Sequence, residues 1–506
     1  MPFTSILFPQ GGAPTELDEA PDCFSDLHLD EIIAAVNAGH AEHRVDRFFY
    51  VPLHEVSTVE HRHQVFRDLE CGEIRQPILK LVDGMQTMRL RLDQAKDLRH
   101  PLQRQGWVIY AIQTFCDTVA LLRDELARVE LASRGLRDFA DHVAQYVESD
   151  TFRKLSGDTE AVQSELRKVR YRVHIRDLRV HVEKYDDQTD YSDAVAATFG
   201  RFATEVGKDY RVPFEDCKDM DHVEAQILEC VADLYPDAFA LLDGFCRRNQ
   251  RFIEPTIRRF DHEIRFYLYY LAFVRRFTKA GLNFSYPEVT SEPGILSADG
   301  AFDLALAIKS TDALVGNDFR LTGPERIFVV TGPNQGGKTT LARTIGQCAF
   351  LASLGCPIPA ERARFTLPDR IYTHFERQET LSTLQGKLEE ELVRIHDVLS
   401  RATAASIIIM NESFSSTTVS DSHLIGTEIF ERIIKLRCIA VYVTFLDELA
   451  SVDQACVSMV GEVAADDPSR RTFKFTRRPA DGNAYAAALA KKYGLNYDVL
   501  RQRISR

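Results

Sequence analysis

Two hydrophobic rhythms divide this chain. From about Leu27 to Val289, apolar residues return every three or four positions, as in Ile78, Val82, Met85, Met88 and Leu92, and again in Ile264, Leu268, Leu271, Val274 and Phe277. That spacing lays one apolar stripe along each helix, so a long, mostly α-helical region is predicted. The aromatic run Phe266 to Phe273 reads as helix-packing core, not as a platform for stacked bases. Lys168 to Arg176 breaks the rhythm: basic and apolar residues alternate, which predicts a half-buried strand and a small β insert around 160–185. Ser192 to Val206 returns to helix. Phe284-Ser285-Tyr286-Pro287 and Ser291-Glu292-Pro293-Gly294 punctuate the chain. Beyond them strands and helices alternate, so the expected division is a helical domain over 1–290 and an α/β domain with a partly parallel sheet over 291–506.

One segment of the α/β region carries recognisable chemistry. Ile327 to Val330 reads as a buried strand and Thr340 to Phe350 as a helix. Between them runs Gly332-Pro333-Asn334-Gln335-Gly336-Gly337-Lys338-Thr339, a complete G-x-x-x-x-G-K-[ST]. Glycines at 332, 336 and 337 let the backbone curl so that successive N–H groups, with the positive end of the following helix, face phosphate oxygens. Lys338 is placed to reach the β- and γ-phosphates, and Thr339 offers a hydroxyl to Mg²⁺. A nucleoside triphosphate is the expected ligand, with Thr340 at the edge of its site.

Ser406 to Met410 reads as a second buried strand, ending in Asn411-Glu412. A strand ending in acid after such a loop is where a Mg²⁺-positioning residue and a water-activating carboxylate belong. Asn411 can hold a metal-bound water through its amide oxygen but adds no charge. Glu412 is the candidate general base. Arg437 to Thr444 is a third buried strand, and Asn483 to Lys492 and Tyr497 to Ile504 read as closing helices with a stop at Gly494.

Composition narrows the setting. The 506 residues are 45% hydrophobic and 27% charged. No run approaches ~18 apolar residues, so no membrane span is expected. The first twenty residues hold no basic side chain and no long apolar stretch, so no secretory leader is expected, and a cytoplasmic or nucleoid-associated place follows. Ten cysteines are scattered without a C-x-x-C. Cys23, Cys71, Cys116, Cys230, Cys348 and Cys438 read as reduced core thiols. The net charge of −13 argues against a generally basic nucleic-acid-coating surface. Yet between Val162 and Lys184 seven Lys/Arg stand against three acids, a local +4. Arg170, Arg172 and Arg176 are therefore candidate phosphate contacts, and a sheet edge kept soluble by charge is the competing reading.

The loop T-G-P-N-Q-G-G-K-T-T closely resembles that of the MutS family, T-G-P-N-M-G-G-K-S-T, including Pro333 and Asn334, which a generic phosphate loop does not require. Leu354 to Ala360 is similar to the family's G-x-x-V-P-A segment, Asp369 to Thr373 to its D-R-I-F-T-R, and Ser382-Thr383-Leu384 to its S-T-F signature. Ser415 to Thr418 stands where the family has G-R-G-T-S-T, and Thr444 where a strand ends in A-T-H. The resemblance is strong from about Ala301 to Arg506. Upstream, Val56 to Arg62 and Phe66 to Leu69 look like the start of the family's helical core, and the basic strand stands where the family inserts a DNA-gripping clamp. No mismatch-reading segment is visible before Phe48. Asn411 replaces the metal-site aspartate, Phe445 replaces a histidine, and Lys387 stands near a usual glutamate.

The resemblance implies an ABC/MutS-like α/β ATPase domain with a mixed sheet flanked by helices, behind a helical lever. It implies ATP and Mg²⁺ as cofactors and a homodimer through the ATPase domains, with Ser382 and Thr383 completing the partner's nucleotide site. Asn317 and Phe319 fall where the family lodges adenine. The implied activity is ATP hydrolysis, slowed by Asn411 and Phe445, coupled to duplex or branched DNA without base reading. A nucleotide-operated scaffold for a protein partner is the alternative; a small-molecule kinase lacks any visible acceptor site.

Overall fold

The computed structural model describes residues 3–9, 17, 19–177, 179–186, 198, 219–311, 314–376, 386–414, 417–464 and 470–480. The predicted helix Ser192 to Val206 apart from Thr198, the signature residues Ser382 and Thr383, Ser415 and Ser416, and the closing helices after Asn483 lie outside the described residues. The chain divides into two compact units, one of Met1–Phe3, Cys71–Leu131 and Leu136–Asp261, the other of Thr4–Glu70, Ala132–Gly135 and His262–Arg506.

The first unit is helical, as the three-to-four rhythm predicts. Helices Gly72–Asp97 and Pro101–Leu126 form a hairpin, the second opening on a proline whose missing N–H is harmless in a first turn. Ile78, Leu81, Met85 and Met88 on one helix and Ile109, Ile112, Phe115 and Val119 on the other are buried. A Cβ at Gly84 would overlap the Thr118 side chain, so glycine there sets how closely the pair can approach. After helix Arg134–Glu148, Ser149 caps helix Asp150–Arg167, accepting from Phe152 N at 3.2 Å.

Strands β1 (Tyr171–Arg176) and β2 (Arg179–Lys184) then form an antiparallel hairpin that is a sheet of its own. Asp177 turns it with φ 47°. The strand was expected to be half-buried; instead Tyr171, Val173, Ile175 and Val180 are exposed, Ile175 by 76%. The hairpin pairs with no other strand among the described residues, and helix His222–Leu234, which packs against β2, leaves these side chains open. Arg172 pairs with Glu183 across the register, which offsets part of the local positive charge. Cys71 and Cys230 are also exposed, contrary to the core-thiol expectation, whereas Cys23, Cys116, Cys348 and Cys438 are buried.

The second unit is the mixed α/β region. Strands β3 (Glu288–Thr290), β4 (Leu296–Ala301), β5 (Asn317–Arg320) and β7 (Arg362–Thr366) make a four-stranded sheet in the order β3-β7-β4-β5. Strands β6 (Ile327–Thr331), β8 (Ile371–Phe375), β9 (Ile407–Asn411), β10 (Ile439–Val443), β11 (Cys456–Val463) and β12 (Arg471–Arg477) make a six-stranded sheet in the order β12-β11-β6-β10-β9-β8. All its neighbours pair in parallel except β11 with β12. The continuous apolar runs of β6, β9 and β10 are buried because a parallel sheet is covered on both faces.

Helix Lys338–Ser353 is pinned along its C-terminal half. Gln347 donates to Leu27 O at 2.9 Å and accepts from Leu304 N at 2.9 Å. Arg62, fully buried between the Phe8 and Phe266 rings, donates to the helix-capping Leu354 O at 2.7 Å, a cation at the negative helix end. These bonds anchor the end of the helix away from the glycine loop.

Candidate functional site

Parallel strands β6, β8, β9 and β10 end on one edge of the sheet, and side chains following such ends converge on a crevice. Here β6 leads into the glycine loop, β9 ends at Asn411 with Glu412 next, and β10 is followed by Thr444 and Phe445. The loop's glycines are sterically required. Gly332 lies at φ 131°, and a Cβ there would stand 3.0 Å from Gly461 N. Gly337 caps the helix at φ 89°, and a Cβ at Gly336 would press to 2.8 Å from Pro333 O. Gln335 adopts φ 58° without being glycine, a strained position of the kind that clusters at functional sites.

Lys338 is buried at the first helical position, where its ammonium group bonds back to Gly332 O (3.2 Å), Pro333 O (3.3 Å) and Asn334 Oδ1 (3.4 Å). It also lies 4.3 Å from the centroid of the Phe445 ring, a cation–π contact. Burial pulls its pKa below the ordinary lysine value, while the charge of Glu412 acts in the opposite direction. Thr339 donates its hydroxyl to Asn411 Oδ1 at 2.8 Å. Thr340 accepts from the Thr344 hydroxyl at 2.8 Å and lines the same space.

Glu412 is half-buried at φ 51°, its N–H bonded to Val443 O at 3.0 Å. Two residues later Phe414 lies at φ 62°, so a short left-handed kink throws Glu412 out of the sheet edge. The kink is clasped from two other elements. Buried His374, on β8, places Nδ1 2.8 Å from Ser413 Oγ, and Glu391, on helix Lys387–Arg401, accepts from Phe414 N at 2.7 Å. The sequence assigns neither residue a role at the kink, Glu391 reading only as one of three glutamates suited to a helix's first turn, since each meets the kink across tens of residues with no local pattern.

Gln335 to Leu341 and Glu412 border a cavity of about 480 Å³. Its apolar wall is Leu306, Leu314, Val315 and Phe473, the size and mixed lining of a small-molecule site. Asn317 also lines it, with Nδ2 donating to Phe473 O at 3.1 Å and Oδ1 accepting from Phe475 N at 2.8 Å. Phe319 does not line the cavity. The two-residue period of β5 turns Asn317 and Phe319 inward together, and Phe319 is buried edge-on to Phe328. The aromatic ring at the cavity is Phe473 instead, 46% exposed at φ 59°.

The remaining candidates lie elsewhere. Ser382 and Thr383 are outside the described residues. Arg170 is exposed just before β1, Arg172 is ion-paired with Glu183, and position 176 pairs with Arg179 in the hairpin register. No helix among the described residues is long and apolar enough to cross a membrane.

The sequence of this region is similar to that of known proteins. The family model MutS domain V matches residues 328–502. The chain is similar to the DNA mismatch repair protein MutS of Chlorobium phaeovibrioides, 28% identical over 221 residues, covering 43% of this chain and 25% of that protein. The MutS of Clostridium kluyveri is 26% identical over 227 residues, 44% of this chain and 26% of its own length. That of Chlorobaculum tepidum is 29% identical over 192 residues, 37% of this chain and 22% of its own. The chain thus spans about a quarter of the length of the curated relatives it matches.

Proposed function

Because this chain is a member of the MutS family through its C-terminal region, we propose that it is a MutS-like ATPase that binds ATP with Mg²⁺ in the cavity beside the 332–339 loop and couples nucleotide state to DNA. The observation that carries the reading is the convergence, where parallel strands end, of the glycine loop's Gln335 to Thr339 and Glu412 around one cavity, with Asn411 bonded to Thr339.

The chemistry follows from these atoms. Loop N–H groups and the helix N-terminus hold phosphate oxygens. The Lys338 ammonium group exchanges its loop carbonyls for β- and γ-phosphate oxygens, which repay the cost of burying it. Thr339 Oγ1 and Asn411 Oδ1, 2.8 Å apart, are close to the ~3 Å spacing of adjacent ligands around Mg²⁺, so the pair fits that ion. When bound, Mg²⁺ neutralises charge on the β- and γ-phosphates. Both protein groups are neutral, so this chain contributes less charge to the ion than an aspartate would. Glu412 orients the attacking water and takes its proton as the new P–O bond forms and the bond to the ADP oxygen breaks.

The kinship also supports a wider arrangement. A second copy supplies Ser382 and Thr383 to the nucleotide, the helical region over 1–290 acts as the lever, and DNA is the partner, since the relatives are DNA mismatch repair proteins by name. Arg170, Arg172 and Arg176 are the proposed phosphate contacts, with Arg172 the weakest because Glu183 already holds it.

The test is ATP hydrolysis by the purified chain, with and without duplex, mismatched and branched DNA. Glu412→Gln is expected to lose about hundredfold in turnover with nucleotide binding retained, and Lys338→Ala to lose binding. Nucleotide binding with neither turnover nor a response to DNA overturns the reading and leaves a nucleotide-operated scaffold.

A further inference from the structure

Away from the nucleotide cavity, one turn of the second unit gathers metal-binding side chains. Asn37 to Arg44 forms a tight excursion in which Ala41–His43 is a single 3₁₀ turn, bounded by Gly39 at φ 82° and Arg44 at φ 50°. Residues three apart eclipse one another on a 3₁₀ turn, so His40 and His43 project to the same side, with Glu42 beside them. Among the described residues these three make one group whose ligand atoms all lie within 4.8 Å of one another.

We propose that His40, Glu42 and His43 form a surface site for a divalent transition ion of the zinc class. Two imidazoles and a carboxylate are the donor set such an ion prefers, and three protein ligands leave a fourth, open position for water or an incoming ligand. Ligands on a tetrahedral zinc stand about 3.3 Å apart when each is ~2.0–2.1 Å from the ion. His43 Nε2 and Glu42 Oε1 are already 3.4 Å apart. The remaining ligand, on exposed His40, needs only a side-chain adjustment to close on the same point.

The surroundings orient both rings. His40 stacks on Tyr269 at 4.3 Å with planes 12° apart, and His43 lies on the same side at 6.3 Å and 26°. Arg265 Nη1 donates to the Tyr269 hydroxyl at 3.0 Å, which holds that ring in turn. The His262 ring donates to His43 O at 3.0 Å and fixes the turn's backbone. These contacts limit how far the two rings can swing away from each other.

The experiment uses the full chain, stripped with a chelator, kept free of nucleotide and held in excess Mg²⁺ so that the cation position at Thr339 and Asn411 is occupied in competition. Co²⁺ is titrated by visible absorption and Zn²⁺ by calorimetry. One equivalent is expected to bind, weakening on acidification because the imidazoles must give up protons. His40→Ala and His43→Ala are each expected to reduce affinity at least about tenfold, and Glu42→Gln to reduce it less. Circular dichroism confirms folding of the variants, which change a surface turn. No binding up to millimolar Zn²⁺ overturns the proposal and leaves an ordinary imidazole–carboxylate contact. Binding unchanged in both histidine variants overturns it equally, placing the ion elsewhere, with exposed Cys71 and Cys230 the first alternatives.

Discussion

Thr339 and Asn411 come from segments 72 residues apart and meet in a 2.8 Å hydrogen bond, hydroxyl to amide oxygen. The bond joins the first turn of the loop helix to the end of β9. It also sets two neutral oxygens where a cation is proposed to sit, so the charge at this point is the feature to vary.

Asn411→Asp adds a carboxylate at nearly the same shape. The Mg²⁺ concentration that half-saturates ATP hydrolysis is expected to fall by about tenfold or more, since a unit charge at contact distance is worth over 1 kcal/mol even with strong screening. An unchanged Mg²⁺ dependence would remove Asn411 from the metal site.

The His374–Ser413 and Glu391–Phe414 contacts hold the kink that presents Glu412. Glu391→Ala leaves the Phe414 N–H without its acceptor, at a cost of about 1–3 kcal/mol. Turnover is expected to drop about tenfold with little change in nucleotide affinity, because the loop itself is untouched. Equal losses in affinity and turnover would show that the clasp supports the whole domain and not the kink.

Two phenylalanines near the cavity should separate cleanly. Phe473→Ala is expected to weaken ATP affinity by about 1–3 kcal/mol, the worth of a base-stacking ring, with little change in melting temperature. Phe319→Ala removes a buried ring and should destabilise the fold by about 3–5 kcal/mol. Titration with a fluorescent ATP analogue, beside thermal melts, distinguishes the two. The reverse pattern would return the base to Phe319.

His63 is buried against the Tyr286 ring, and burial, aided by nearby Arg67, lowers its pKa from 6.5 to about 4. The unfolded chain therefore binds a proton that the folded chain refuses between those values. Stability rises with pH across this window and is lost as pH falls from about 6.5 toward 4, by up to about 3 kcal/mol. Chemical denaturation of His63→Gln at pH 7 and pH 4.5 should show a shallower acid loss than the parent. A parallel loss in both would mean that His63 is protonated in the folded chain.

Much of this protein is legible along the chain. The three-to-four rhythm of Ile264 to Phe277, the buried run of β6 and the glycine loop are local patterns, each set by helix pitch, by burial on both sheet faces or by backbone sterics within eight residues. The hairpin at 171–184 shows the limit of such reading: alternation named the strand, but burial depends on what packs over it, and helix His222–Leu234 against β2 leaves Tyr171, Val173, Ile175 and Val180 open. Phe319 and Phe473 show it again. Both are aromatic residues on strands beside the loop, and only the packing of β5 and β12 put the first in the core and the second at the cavity. By itself the sequence determined where the phosphate-type loop lies, which element it opens, and that an amide stands where an acid is usual. Tertiary structure alone decided that Thr339 meets Asn411, that His374 and Glu391 grip the Glu412 kink, and that His40 and His43 share a turn with Glu42 against Tyr269. Most of these contacts join strands and helices distant in sequence, and their geometry is set by the pairing and packing of whole elements, which no short window of residues encodes.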